Sequence, residues 1–176
     1  MPMRDRTEWE RWATCGMAGA ILGVLIAVAM LAAVPPVSKD ALVHHLAVPK
    51  IYLRHCGMVE LPSMPFSYYP MNLELLYWGS LALGSDILAK YIHFSFALFT
   101  MWALYHHLSR RLSPAWGTVG ALLFVAVPVI VKLSITAYID LGVICFTFCS
   151  ILFLFEWVEK GLRLRHLAFS ALFCGL

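Results

Sequence analysis

The chain has 176 residues, 61% of them hydrophobic and 13% charged, with a mean hydropathy of +0.80 and a formal net charge of +3. A soluble globular domain carries about 25% charged residues, so this chain has too little polar surface to cover itself in water. Its basic residues form no block, which excludes a nucleic-acid-binding surface. Cys15, Cys145, Cys149 and Cys174 lie in apolar runs and only Cys56 sits in a loop, so the cysteines define no disulfide framework.

A membrane span needs ~20 mostly apolar residues, because the hydrocarbon core is about 30 Å thick and a helix rises about 1.5 Å per residue. Residues 1–14 carry Arg4, Arg6 and Arg11 and precede residues 15–34, an uncharged run that meets this length and stops at Pro35-Pro36. The run exceeds the ~7–15 apolar residues of a signal peptide and is read as a retained span. Residues 35–85 form one long polar loop. Ser38 is a candidate N-cap for a short helix with Asp40 in its first turn. Helical spacing places Asp40 and His44 on one face, and His45 and Tyr52 on another. Residues 71–84 are apolar but short, with Glu74 near the start, and are expected to form a re-entrant or interfacial helix.

Further spans are expected over residues 87–108, 114–133 and 139–158. Residues 166–176 begin a fifth apolar run too short to cross a bilayer. The expected fold is all-α: a single polytopic membrane helix bundle of about four complete transmembrane helices and a partial fifth, with one long extracytoplasmic loop containing juxtamembrane helices. The chain reads as the front part of something longer.

Orientation follows from the basic residues. Arg4, Arg6, Arg11, Arg110, Arg111, Lys160, Arg163 and Arg165 fall on one side. Lys39, Lys50, Arg54, Lys90 and Lys132 are spread over many more residues on the other. Positive charge concentrates on the cytoplasmic side. The N-terminus is therefore expected inside, in the cytoplasmic (inner) membrane, with the loop outside. Asp40 and Asp140 then emerge on the same outer side.

Each candidate residue also has an ordinary explanation. A first-turn Asp is favoured by the helix dipole whatever else it does, and this applies to both Asp40 and Asp140. An acid at the mouth of a span is expensive unless it faces water, a cation or a partner. The His44-His45 pair has no zinc-like spacing with cysteine.

The run Asp40-Ala41-Leu42-Val43-His44-His45-Leu46, followed by Pro49-Lys50-Ile51-Tyr52, resembles the first outer loop of bacterial GT-C class membrane glycosyltransferases. These are relatives of the protein O-mannosyltransferases and the lipid A aminoarabinose transferases. The resemblance continues through Tyr69-Pro70, Leu73-Glu74-Leu75-Leu76-Tyr77, Leu88-Ala89-Lys90 and Ala137-Tyr138-Ile139-Asp140, in order along nearly the whole chain. Members of that family run to several hundred residues, so the 176-residue chain alone is expected to be inactive.

The resemblance implies transfer of a sugar from a polyprenyl-phosphate donor to an acceptor hydroxyl on the outer face. A hydroxyl is a poor nucleophile and needs a positioned base, and the match to the family's first-loop acid makes Asp40 the candidate. The developing phosphate charge calls for cations; Lys50, Arg54 and Lys132, with Tyr52 beside them, are the donor- or phosphate-binding candidates. Asp140, Glu74 and His45 are expected either to hold a divalent metal of unassigned identity or to orient the donor. The expected partners are the bilayer, the lipid-linked donor and an unassigned acceptor, with no nucleic acid. The alternative is a non-catalytic truncated or accessory membrane module. A transporter is a third option, for which His93 is the only ionisable residue near the middle of a span.

Overall fold

The computed structural model describes residues 8–176, and among these residues the chain is entirely helical, with no strand. Arg4 and Arg6 of the basic N-terminal flank lie outside the described residues.

Among the described residues, three helices are long and apolar enough to cross a membrane: α1 (Glu8–Ala32), α4 (Asp86–Arg111) and α7 (Asp140–Glu159). At about 1.5 Å per residue each reaches the ~30 Å of a hydrocarbon core. They also leave large apolar side chains exposed, including Leu22, Ile26 and Met30 on α1 and Phe99 and Trp102 on α4. Such a surface belongs in lipid rather than water. α1 begins nearly two turns before the uncharged run and ends ahead of Pro35-Pro36, which cannot continue it.

Between α4 and α7 the span expected over residues 114–133 comes out as two helices. α5 (Pro114–Ala126) and α6 (Pro128–Ser134) are bent by 70° and pass as a fourth span only if taken together. The break has a local cause. Val127 precedes Pro128 and takes φ −69°, ψ 116°, because a proline ring disfavours helical backbone in the residue before it. α8 (Leu164–Cys174) is a shorter apolar helix that packs on α7. There Ser150 Oγ donates to the Ser170 carbonyl, and Ser170 Oγ donates to the Ser150 carbonyl, both at 2.9 Å.

α4 is the central element, in contact with α5, α6 and α7, while α1 lies against α5. The α4–α5 crossing is close because Gly117 has no side chain. A Cβ there would stand 2.0 Å from Ser109 Oγ and 2.7 Å from the Tyr105 carbonyl oxygen.

The polar loop is ordered into four short pieces. A π-helical turn (Ala41–His45) leads into α2 (Ala47–Arg54); a 3₁₀ turn (Pro65–Tyr68) precedes α3 (Asn72–Ala82). α3 buries Leu73, Glu74, Tyr77, Ser80 and Leu81 and packs on α2 and α4. Its end is a left-handed glycine stop: Gly84 sits at φ +76°, and Ser85 N–H donates to the Ser80 carbonyl at 3.1 Å. Ser85 then caps α4 by accepting from Leu88 N–H at 3.1 Å. One buried cluster (Ala41, Leu46, Tyr77, Leu81, Ala89, Ala137) joins the loop to α4 and to the turn between α6 and α7.

Candidate functional site

The loop and the α6–α7 turn meet through Tyr138. Its hydroxyl donates to Asp40 Oδ2 at 3.3 Å and is hydrogen bonded to Ser38 Oγ, partners about a hundred residues away in sequence. With Tyr138 donating to the carboxylate, Ser38 donates to Tyr138, giving a Ser38–Tyr138–Asp40 relay. The backbone at Tyr138 is fixed from below by Tyr77, whose hydroxyl donates to the Tyr138 carbonyl. Burial raises the Tyr77 hydroxyl well above its ordinary pKa, and the carboxylates of Glu74 and Asp140 add to the rise, so it remains a donor.

The π-helical turn decides which loop side chains face Tyr138. Leu46 N–H donates to the Ala41 carbonyl at 2.9 Å, a five-residue step in place of the usual four. One extra residue in a turn rotates the side chains after it by about 100°. His45 lies against Tyr138, with ring centroids 5.4 Å apart, while His44 stacks on Phe66 at 4.5 Å. Burial and the neighbouring His45 hold the His44 imidazole below its ordinary pKa, partly offset by Asp40 and Glu74.

His45 is buried and its Nδ1 donates to Glu74 Oε1 at 2.9 Å. The second carboxylate oxygen, Glu74 Oε2, is buried with no hydrogen-bond partner among the described residues. A buried polar atom left unpaired costs about 1–3 kcal/mol, so a hydroxyl arriving on this oxygen would be stabilised.

His93 is the keystone under the turn. Nδ1 donates to the Thr136 carbonyl at 2.8 Å and lies 3.1 Å from the Leu133 carbonyl, while Nε2 accepts from Leu141 N–H at 3.1 Å. Both nitrogens are occupied in one tautomer, and the ring is fully buried. His93 thus staples the end of α6 to the start of α7 and has no free nitrogen for the proton-relay role a transporter would ask of it.

The remaining candidates divide. Asp140 is exposed at the first residue of α7, two residues from Tyr138, and makes no side-chain hydrogen bond among the described residues. Lys50 reaches the start of α4, where its Nζ donates to Asp86 Oδ2 at 2.7 Å. Tyr52 is buried in the loop's interior. Arg54 on α2 and Lys132 on α6 are exposed, with no ion pair to this cluster among the described residues. Asp40 and His45 therefore meet at Tyr138, with Glu74 held by His45, whereas Lys50 is tied to Asp86 at the start of α4. Among the described residues, no group of three or more His, Cys, Asp or Glu side chains is placed to hold a metal ion.

Beside the relay lies an open groove of about 220 Å³ between the end of α1, the start of α4 and the α6–α7 turn, lined in part by Ser38, Ala41 and Thr136. Compared with protein-family models, curated proteins and solved structures, the chain matches none.

Proposed function

We propose that this chain forms the donor-side part of a membrane glycosyltransferase that moves a sugar from a polyprenyl-phosphate carrier to an acceptor hydroxyl on the outer face of the membrane. The observation that carries the proposal is the convergence of Ser38, Asp40 and Tyr138 at the rim of a mostly apolar groove. Asp40 is exposed and so accessible to an acceptor, yet it is held in place by a residue from a distant segment.

In this chemistry Asp40 removes the acceptor's hydroxyl proton as the oxygen bonds to the anomeric carbon. The anomeric carbon–oxygen bond to phosphate breaks, and its electron pair leaves with the polyprenyl phosphate. The phosphate is already a good leaving group, so the demanding step is activation of the hydroxyl. Glu74, held by His45, keeps one buried carboxylate oxygen without a hydrogen-bond partner among the described residues. The cytoplasmic N-terminus and inner-membrane location belong to the same proposal, supported by the eight basic residues on the side opposite the loop.

The test places Asp40→Asn at the gene's own locus and measures transfer from radiolabelled polyprenyl-phosphate sugars in isolated membranes. Loss of a general base lowers the rate typically ~10²–10⁴-fold, and that loss is expected at unchanged protein level. Near-normal transfer would return Asp40 to the role of a first-turn helix residue and favour a non-catalytic module.

A further inference from the structure

None of Lys50, Arg54 and Lys132 is among the residues that line the groove, but another cation, Lys90, is. Lys90 is 3% exposed, and no carboxylate pairs with it among the described residues. Its Nζ donates to the Val34 carbonyl at 2.6 Å and lies 3.5 Å from the Leu31 carbonyl. Leu31 is in the last turn of α1 and Val34 lies two residues past it, and a lysine at a helix C-terminus is a good cap. An ammonium has three N–H donors, however, and at most two are used. Lys90 is also the one charged residue among those lining the groove, whose walls include Leu31, Val34, Val37 and Ile135.

The combination is specific in chemical terms. A buried cation with no counter-ion is costly, and an anion arriving beside it removes that cost. The apolar walls suit a hydrocarbon chain rather than a free anion. Lys90 lies four residues into α4, about 6 Å along the helix from its first residue. That depth matches the base of a lipid head group rather than the bilayer centre. Ser38 both lines the groove and touches Tyr138, so a head group on Lys90 stands next to the relay that ends at Asp40.

We infer that this groove binds the phosphate of the isoprenoid lipid donor, with Lys90 as its anchor and the first isoprene units against Leu31, Val34 and Ile135; the inference rests on the proposed glycosyltransferase function. Lys90 is a binding residue here and caps α1 as well.

The experiment uses the whole chain in lipid nanodiscs and compares binding of a polyprenyl phosphate with that of the corresponding polyprenol, each by displacement of a photoreactive polyprenyl phosphate. The chain should prefer the phosphate at least about tenfold, the size of one charge-assisted hydrogen bond. Lys90→Met should bind both lipids equally, and Lys90→Arg should restore the preference. A preference that survives in Lys90→Met overturns the assignment of Lys90 while leaving the proposed function standing. Absence of binding to either lipid overturns both.

Because Lys90→Met also removes a cap from α1, a second measurement uses only the unaltered chain. A diazirine in the first isoprene unit should label residues 31–38 and 135–136. Labelling confined to α7 and α8 would overturn the inference.

Discussion

The two ends of the helix bundle are built differently. At the loop end, buried or half-buried side chains bind backbone and side-chain atoms far away in sequence: Lys90 to Val34, Tyr91 to Ala29, His93 to Thr136 and Leu141, Tyr77 to Tyr138, His45 to Glu74. At the opposite end the ties include the ion pairs Arg111–Glu159 and Lys160–Glu156, with side chains about a third to a half exposed. Buried hydrogen bonds are expensive to break, because each lost partner leaves a desolvated group behind. Exposed ion pairs are worth little, since water and salt replace them. The contacts that are expensive to break are therefore concentrated where the candidate chemistry is, and these ion pairs at the opposite end are the weaker ties.

The largest effect that can break this comparison is all-or-none. In intact cells, a chain whose sole cysteine is Cys56 should react with an impermeant maleimide, and one whose sole cysteine replaces Ser109 should not. The reverse pattern would put the loop in the cytoplasm and detach it from an outer-face reaction.

Next in size is the staple under the α6–α7 turn. His93→Phe keeps the ring volume and strands Thr136 O and the Leu141 N–H. At about 1–3 kcal/mol for each of the two orphaned groups, unfolding in detergent should become easier by about 2–6 kcal/mol. An unchanged stability would mean that the turn is held by something other than His93.

The smallest effect belongs to the other end. Arg111→Gln should shift stability by less than about 1 kcal/mol, because the Arg111–Glu159 pair is exposed. A loss as large as that of His93→Phe would erase the distinction between the two ends.

How much of the fold and site is legible in the sequence differs by element. The apolar runs announce the long helices, since length and the confinement of charge to the ends are sufficient signals for α1, α4 and α7. The 70° break at Val127 is invisible to hydropathy, although Val127-Pro128 carries the local reason for it. The short helix α3 is expected from its length and from Glu74. A 3.6-residue period cannot foresee the π-helical turn over Ala41–His45. That turn depends on how residues 41–46 pack against Tyr77 and Ala137. Lys90 reads in sequence as a span-end lysine, and only the folding of α1 against α4 shows it buried at a groove. Tyr138 stands beside Asp140 in one short motif, but its bond to Asp40 spans 98 residues, and nothing local in the sequence encodes that distance.

The central claim is that Tyr138 positions Asp40 for transfer, and a double-substitution cycle in the membrane transfer assay tests it most directly. Tyr138→Phe removes one hydroxyl and both of its loop contacts while leaving the ring against His45. Acting through Asp40, it should lower transfer about tenfold in the unaltered chain and have almost no further effect on Asp40→Asn. Losses that simply multiply in the double variant would show two independent residues and contradict the account.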